Sequence, residues 1–235
     1  MADLTELAVP RSVELLSALL PPPPARLLEV GCGNGALAAE LQRRGWQITG
    51  LDPDDDACAA TRSRGVPVIP GTLRDADGDW DALLFTRSLH HVPDLAATVR
   101  DAVHRLRPGG RIVLEDFARE RADRAAAEFL YDTVDLLESA GLADPADDPT
   151  DRPADPVARW RRQRGHLHTE SAMVGSLSKY GDVVGRTSSE ALWRLALSRL
   201  TADDGAIGRC LRDVECRRIE DGTLPAIGFV LALQT

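Results

Sequence analysis

Three glycines at alternate positions follow an apolar run that carries one acid, in the stretch LLEVGCGNG at 27–35. Gly31, Gly33 and Gly35 have no Cβ atom, so the backbone at these positions can approach a ligand closely. A helix that begins at such a turn presents free N–H groups and the positive end of its dipole to an anionic group. With Glu29 just before them, these residues predict a binding site for a nucleotide-like ligand.

Two classes of nucleotide-binding enzyme share this pattern. Gly31, Gly33 and Ala36 satisfy the GxGxxG/A fingerprint of dinucleotide enzymes, while Gly35 also completes GxGxG. Asp52 ends the next apolar run, where a carboxylate accepts hydrogen bonds from ribose hydroxyls in either class. The glycines and this acid therefore predict a bound nucleoside and leave both classes open.

The elements that must position this turn alternate between apolar bursts and amphipathic stretches. RLLEV, WQITGLD, VPVIP, DALLF and RIVLED read as strands, and the helices between them stop at glycines such as Gly45 and Gly65. This order is typical of βαβ units and of a parallel sheet. We therefore predict an α/β fold: a doubly wound, Rossmann-like, mostly parallel sheet in the order 3-2-1-4-5, with the antiparallel last strand AIGFVLAL at its edge and a helical lid insertion.

The chain divides into four predicted segments: an N-terminal covering helix at 1–24, a Rossmann-like core at 25–117, a helical lid and acceptor region at 118–178, and C-terminal strands and helices that complete the core at 179–235. The covering helix is expected because Val13, Leu16, Leu19 and Leu20 form one apolar stripe.

Several local features are predicted within these segments. One helix is expected over 118–140, followed by a solvated, Asp- and Pro-rich loop at 141–156. Thr187 and Glu190 have the spacing of a capping box ahead of another helix. The stretch YGDVVGR before them is expected to lie beside the last strand. In the fourth helix, Leu95, Val99, Val103 and Leu106 are expected to share one face.

Other features, in a fixed order, distinguish the two classes. Glu29 extends the glycine pattern to ExGxGxG, and DALLFTRSLHHV at 81–92 and LRPGGRIVLED at 106–116 follow downstream. Together they resemble the class I S-adenosylmethionine-dependent methyltransferases, particularly the small-molecule group with the ubiquinone and menaquinone methyltransferases. The resemblance implies S-adenosyl-L-methionine as cofactor and S-adenosyl-L-homocysteine as product. It also implies methyl transfer to an O, N or C atom of a small-molecule metabolite.

The same resemblance assigns the cofactor-binding residues. Glu29 and the glycine loop would hold the methionyl part, and Asp52 would hold the ribose. Many relatives have an acid directly after the glycine that follows the third strand, where this chain has Thr72, so adenine is expected to pack on Leu73. The full implied set is Glu29, Gly31, Cys32, Gly33, Asn34, Gly35, Asp52, Pro53, Leu73, Thr86 and Arg87. Some relatives bind the cofactor without methylating, so a cyclase or non-catalytic role remains an alternative, as does an NAD-dependent enzyme.

The groups that act on the acceptor are predicted from their position along the chain. The cofactor supplies the electrophile, so the protein mainly orients the reactants, and a base is needed chiefly for a hydroxyl acceptor. The predicted catalytic residues are His91, His166 and His168, and the predicted substrate-binding residues are Tyr131 and Tyr180. His166 and His168 alternate in GHLHTE, which also suggests a metal, but no third ligand is nearby and no metal is predicted.

Composition limits the partners. The chain has 235 residues with 37 acids and 28 bases, and its net charge of -9 argues against a general nucleic-acid binder. DNA is not an expected partner, and the arginines of RWRRQR at 159–164 are read as a solvated surface and not as an RNA site. The four cysteines lack ligand-like spacing, and neither a signal peptide nor a membrane span is expected. A cytoplasmic enzyme with a small-molecule substrate is predicted; the oligomeric state is not.

Overall fold

A computed structural model describes residues 5–144, 153–201 and 205–235. Its strands are β1 (Arg26–Val30), β2 (Gln47–Asp52), β3 (Val68–Pro70), β4 (Trp80–Thr86), β5 (Leu106–Phe117), β6 (Asp182–Ser189) and β7 (Gly228–Gln234). Its α-helices are α1 (Thr5–Ser17), α2 (Ala36–Arg43), α3 (Asp55–Ser63), α4 (Leu95–Val103), α5 (Arg124–Ser139), α6 (Pro156–Arg164), α7 (Glu170–Leu177), α8 (Leu192–Leu197) and α9 (Gly205–Glu220).

The strands form one sheet in the order β3-β2-β1-β4-β5-β7-β6. Parallel pairing joins β1 to β2 and β4, β2 to β3, and β4 to β5. The predicted α/β class and the order 3-2-1-4-5 are therefore confirmed. Because the sheet is parallel, the turns after β1, β2 and β4 all lie at one edge, where ligands of such sheets bind.

The last strand, β7, is antiparallel to β5, as predicted. The Ala118 N–H donates to the Ile227 carbonyl and the Thr235 N–H to the Gly110 carbonyl, so the two chains run in opposite directions. Its predicted place at the edge is wrong. The strand β6 pairs on its far side and forms the edge, which confirms the expected neighbour YGDVVGR.

The described chain forms two compact units. The sheet unit contains Val9–Asp116, His168–Thr187 and Phe229–Thr235, and the helical unit contains the residues up to Ala8, Phe117–Leu167 and Ser188–Gly228. These divisions cross the four predicted segments, which stay a prediction about functional organisation. Over the described ranges, no helix has the length and apolar character that a membrane span requires.

Each unit has its own apolar core. In the sheet unit, Val13 and Leu16 of α1 pack with residues of β1, β4 and α2. In the helical unit, Phe129, Leu130 and Val134 of α5 pack with residues of α6 and α8. Residues of the segment predicted as a helix at 118–140 therefore contribute to a core.

Two predicted helix boundaries are wrong. The helix expected over 118–140 begins only at Arg124, because the Asp123 carboxylate accepts a hydrogen bond from the Ala126 N–H at 2.9 Å and caps it. Leu106 is not on the fourth helix, which ends at Val103; it begins β5 and pairs with Trp80. The loop predicted at 141–156 falls largely outside the described residues, since 145–152 are not among them.

The predicted capping box is also wrong. Thr187 lies in β6, and α8 begins only at Leu192, without a side-chain cap from its own N-cap residue. Glu215 of α9 takes that role: its carboxylate accepts hydrogen bonds from the backbone N–H groups of Ala191, Leu192 and Trp193 at 2.8 to 2.9 Å. Thr187 thus belongs to a strand and does not cap α8. Glu215, which is distant in sequence, caps this helix instead.

Candidate cofactor site

The glycine loop lies between β1 and α2 and has three left-handed glycines. A Cβ on Gly31 would lie 2.7 Å from Ser88 Cβ, and one on Gly35 would lie 2.6 Å from Thr61 Oγ1. A Cβ on Gly33, where φ is +54°, would meet no atom within 4 Å. Gly31 and Gly35 therefore allow close packing within the protein, whereas Gly33 faces open space that a ligand can occupy.

The backbone at Gly33 is fixed on both sides. Its N–H donates to Asp52 Oδ2 at 2.9 Å, and its carbonyl accepts from Thr61 Oγ1 at 2.9 Å. The other Asp52 oxygen accepts from the Asp54 N–H at 3.0 Å. A carboxylate oxygen has more than one acceptor site. Asp52 therefore organises the loop and keeps acceptor capacity for a ligand hydroxyl.

Cys32 and Asn34 contribute to the loop in different ways. The Cys32 thiol packs 3.6 Å from Thr61 Oγ1, and burial raises its pKa to about 11, so it stays a neutral, unreactive thiol. Asn34 Oδ1 accepts from the Ala36 N–H at 3.0 Å at the start of α2. Both side chains thus shape the loop.

Glu29 is the buried acid at the end of β1, with 2% of its surface exposed. Its Oε1 accepts from Thr86 Oγ1 at 2.7 Å, but its Oε2 is buried without a hydrogen-bond partner among the described residues. Burial raises the Glu29 pKa to about 7, although the Thr86 hydrogen bond and the Arg87 charge oppose the rise. A buried acceptor without a donor is costly, and a cationic donor would satisfy this one.

Arg87 has φ of +57°, an uncommon conformation for a residue with a side chain. Its N–H donates to the Glu115 carbonyl at 2.7 Å, and its Nη1 lies 3.6 Å from Glu115 Oε2. Glu115 Oε1 also accepts from Ser12 Oγ at 3.0 Å. The strained backbone after β4 is therefore held by the end of β5, as is common near functional sites.

A cavity of about 490 Å³ opens beside the loop in the sheet unit. Four residues predicted for the site line it, namely Gly31, Pro53, Leu73 and His91. Apolar side chains form most of its remaining wall, including Phe85. This volume and lining are those of a small-molecule pocket, and the predicted adenine-packing residue, Leu73, lies in it.

Thr72, which stands where many relatives have an acid, is hydrogen-bonded to an acid within the protein. Its N–H and its hydroxyl both donate to Asp75 Oδ2, at 2.8 and 3.0 Å. These two hydrogen bonds hold the pKa of Asp75 below its usual value. An acid is therefore present at this turn, three residues later than the family pattern predicts.

The three predicted catalytic histidines lie in different places. His91 is exposed on a short 3-10 turn (Leu89–His91) and lines the cavity. His168 Nε2 donates to the Val92 carbonyl at 2.8 Å, so this histidine ties α7 to that turn. His166 is exposed after α6, in the helical unit. His166 and His168 belong to different units, so neither unit by itself contains both histidines.

The two predicted acceptor-binding tyrosines also differ. Tyr131 is buried in the helical unit, where its hydroxyl donates to Gln163 Oε1 at 2.9 Å and accepts from Arg164 Nη1 at 3.0 Å. Tyr180 is 38% exposed in the turn before β6, in the sheet unit. The structure therefore gives Tyr131 a packing role and leaves Tyr180 accessible.

Three polar contacts near the loop were not expected from the sequence. Thr61 fixes Gly33, and Ser88 Oγ donates to the Val30 carbonyl at 2.6 Å. His90 Nδ1 lies 2.6 Å from Asp116 Oδ1, and both side chains are buried. The predicted strand order indicates that β4 and β5 end side by side. No spacing in the sequence indicates which side chains contact each other at these strand ends.

Similarity to known proteins agrees with this site. The family model for a methyltransferase domain matches residues 4–173. The chain belongs to the S-adenosylmethionine-dependent methyltransferases. The family match decides between the two classes that the glycines satisfy equally. S-adenosylmethionine is accordingly the cofactor of this methyltransferase, and the buried Glu29 Oε2 and the open space at Gly33 fit it.

The methyltransferase is also similar to individual relatives and to solved structures. It is 31% identical over 175 residues to a ubiquinone biosynthesis O-methyltransferase of Xylella fastidiosa. The aligned region covers 70% of each of the two chains. A protein of the same name from Xanthomonas axonopodis pv. citri is 34% identical over 128 residues, covering 50% of this chain and 54% of that one. The fold is that of geranyl diphosphate C-methyltransferase from Streptomyces coelicolor A3(2), with a TM-score of 0.62 at 15% identity, covering 99% of this chain and 82% of that one.

Proposed function

We propose that the chain transfers a methyl group from S-adenosylmethionine to an O, N or C atom of a small-molecule metabolite. The observation that carries the proposal is the buried Glu29 Oε2, which has no donor among the described residues and lies in the strand that leads into the turn with the open space at Gly33. An amino-acid tail with a cationic ammonium group would satisfy that oxygen. A dinucleotide has no such group to offer.

Each residue of the loop then has a role toward the cofactor. Glu29 binds the ammonium group of the methionyl part, and Asp52 accepts from the ribose hydroxyls while it holds the Gly33 N–H. Pro53 and Leu73 pack against adenine in the apolar cavity. Thr86 orients Glu29 through its hydroxyl. When bound, S-adenosylmethionine supplies a methyl group on a positively charged sulfur, so positioning accounts for most of the acceleration.

The remaining loop and strand-end residues support these contacts. Gly31 and Gly35 let the loop pack against its neighbours, while Cys32 and Asn34 shape it. Arg87 follows Thr86 at the end of β4, where it passes beside the cofactor. These roles follow from the position of each residue at the carboxyl edge of the sheet.

For the acceptor, we propose an oxygen atom first, because the relatives at 31 and 34% identity are named O-methyltransferases. A hydroxyl acceptor must lose a proton, and His91 is the titratable residue of the cavity wall best suited to accept it. His166, His168, Tyr131 and Tyr180 stay predicted contributors to acceptor binding or catalysis.

Gly33→Val tests the cofactor site. We expect it to weaken S-adenosylhomocysteine binding by about 2 to 4 kcal/mol, because a left-handed branched residue is strained and its side chain occupies the ligand space. Isothermal titration calorimetry measures this. The matched control is Gly65→Val, since Gly65 also has positive φ and open space around its Cβ but lies after α3. Equal binding by both variants would place the cofactor elsewhere.

A second measurement separates methylation from binding alone. Candidate phenolic and quinol acceptors are incubated with the protein and S-adenosylmethionine, and product and S-adenosylhomocysteine are quantified together by mass spectrometry. We expect the two to form in equal amounts. Conversion of an acceptor without consumption of the cofactor would instead identify a non-methylating relative such as a cyclase.

A further inference from the structure

Three arginines of the helical unit lie in one partly buried environment. The first, Arg159 on α6, has a side chain only 3% exposed. Its Nη1 lies 2.8 Å from Asp135 Oδ1, and its guanidinium lies 4.1 Å from the centre of the Tyr131 ring. Its Nε is buried and has no hydrogen-bond partner among the residues that the structure describes. One of its donors is thus unused.

The second arginine, Arg164, has only neutral partners. Its Nη1 donates to the Tyr131 hydroxyl and to Gln163 Oε1, both at 3.0 Å, and its guanidinium lies 4.5 Å from the centre of the Trp160 ring. Within 5–144, 153–201 and 205–235, no carboxylate lies at ion-pair distance from it. Its charge is therefore not compensated by a salt bridge.

The third arginine, Arg199, follows α8 and is half-buried. In the described part of the chain its guanidinium also has no ion pair. Burial lowers the pKa of Arg164, and the positive charges of Arg199 and Arg159 lower it further, although Tyr131 opposes them. Arg159 and Arg164 both contact Tyr131, and the charges of Arg159 and Arg199 both act on Arg164.

This arrangement is electrostatically unfavourable as it stands. Among the described residues, Asp135 pairs with Arg159 only, so the charges of Arg164 and Arg199 have no carboxylate partner there, although Arg164 is partly buried. Arginine cannot lose its proton to relieve the repulsion. An anion would relieve it, and the planar guanidinium fork matches the oxygens of a carboxylate or a phosphate.

We propose that Arg159, Arg164 and Arg199 form a binding site for the carboxylate or phosphate group of a small molecule. Arg164 and Arg199 supply the direct charge-assisted hydrogen bonds. Arg159, fixed by Asp135 and stacked on Tyr131, adds positive charge and its free Nε–H. The site lies within the helical unit, whereas the cofactor residues lie in the sheet unit, so it does not depend on the proposed methyl transfer.

The test is calorimetric titration of the full chain at low salt with three probes: inorganic phosphate, pyrophosphate and citrate. The double variant Arg164→Gln/Arg199→Gln is compared with the wild type and with Arg161→Gln, an exposed charge on the same helix. We expect saturable binding of at least one probe, weakened about tenfold or more in the double variant and unchanged in Arg161→Gln. The probe that binds distinguishes a phosphate site from a carboxylate site.

Arg199→Gln alone serves as a second variant, because its side chain makes no hydrogen bond to the residues that the structure describes, and urea denaturation reports that each variant is folded. Two results would overturn the proposal. One is that no probe binds saturably to the wild type. The other is equal probe affinity in the wild type, the single variant and the double variant, which would make the cluster a purely structural feature.

Discussion

Glu29 and Glu215 are both buried glutamates whose pKa is raised by burial, yet they have opposite surroundings. Three backbone N–H groups at the start of α8 donate to Glu215 and use both of its oxygens. Glu29 has one hydroxyl donor, Thr86, and one oxygen without a donor in the described chain. Within the described residues, both oxygens of the Glu215 carboxylate accept hydrogen bonds, whereas only one oxygen of the Glu29 carboxylate does.

This difference separates a structural acid from one that we propose binds a ligand. The N–H groups at a helix start carry partial positive charge, so they stabilise the Glu215 carboxylate and are themselves satisfied by it. Burial is the main cause of the raised Glu29 pKa; Thr86 and Arg87 lower the pKa, and the nearby acids Glu115 and Asp52 add smaller increases. Such a group destabilises the empty protein and gains its missing interaction only when a cationic ligand binds.

Removal of Glu215 should have the largest effect on stability. We expect Glu215→Ala to lower the free energy of unfolding by about 3 to 5 kcal/mol, because three hydrogen bonds to a charged group disappear and three N–H groups of α8 stay buried without acceptors. Urea denaturation measures this. The control is Glu220→Ala, an exposed acid on the same helix, for which a change within about 0.5 kcal/mol is expected. Similar losses in both variants would contradict a specific capping role.

Glu29→Gln should do the reverse and stabilise the empty protein. In the folded state the Glu29 pKa is about 7, above its ordinary value of 4.5, so the folded protein binds the extra proton. Stability from this group is therefore complete below pH 4.5 and is lost as the pH rises towards 7. At pH 8 the neutral glutamine should add about 2 to 3 kcal/mol to the free energy of unfolding.

The stabilisation by Glu29→Gln is checked by urea denaturation at pH 5 and pH 8. The gain over the wild type should be small at the lower pH, where the wild-type side chain is largely protonated, and large at the higher pH. A gain that is equal at both values would show that the carboxylate charge is not its cause.

The contrast between the two acids also marks what the sequence could predict. Glu29 stands two residues before a glycine in a local motif, so the spacing indicated its place, and the resemblance to the methyltransferases indicated its ligand. Glu215 contacts residues more than 20 positions away, and only the packing of α9 against α8 brings it there. The local pattern of Thr187 and Glu190 predicted a helix cap at the wrong place, because Thr187 lies in β6, which pairs with β7.

The places of the proposed cofactor residues could be predicted for a similar reason. Their positions follow from a single turn and from the order of parallel strands, so the lining of the cavity by Pro53, Leu73 and His91 could be expected. The contact of Thr61 with Gly33 could not, because it depends on how α3 packs beneath the loop. The arginines of RWRRQR were read as a solvated surface, whereas Arg159 is buried, which a charged run alone does not reveal.

The smallest expected effect is a pH dependence of cofactor-product binding. An ammonium group beside Glu29 favours its ionised form, so binding lowers the Glu29 pKa and releases a proton. Because the empty site has a pKa of about 7, S-adenosylhomocysteine affinity should rise about tenfold from pH 6 to pH 8 and then level off. In Glu29→Gln the affinity should be weaker and the rise absent, as measured by calorimetry. A rise that persists in the variant would assign the proton to another group and leave Glu29, like Glu215, a structural acid.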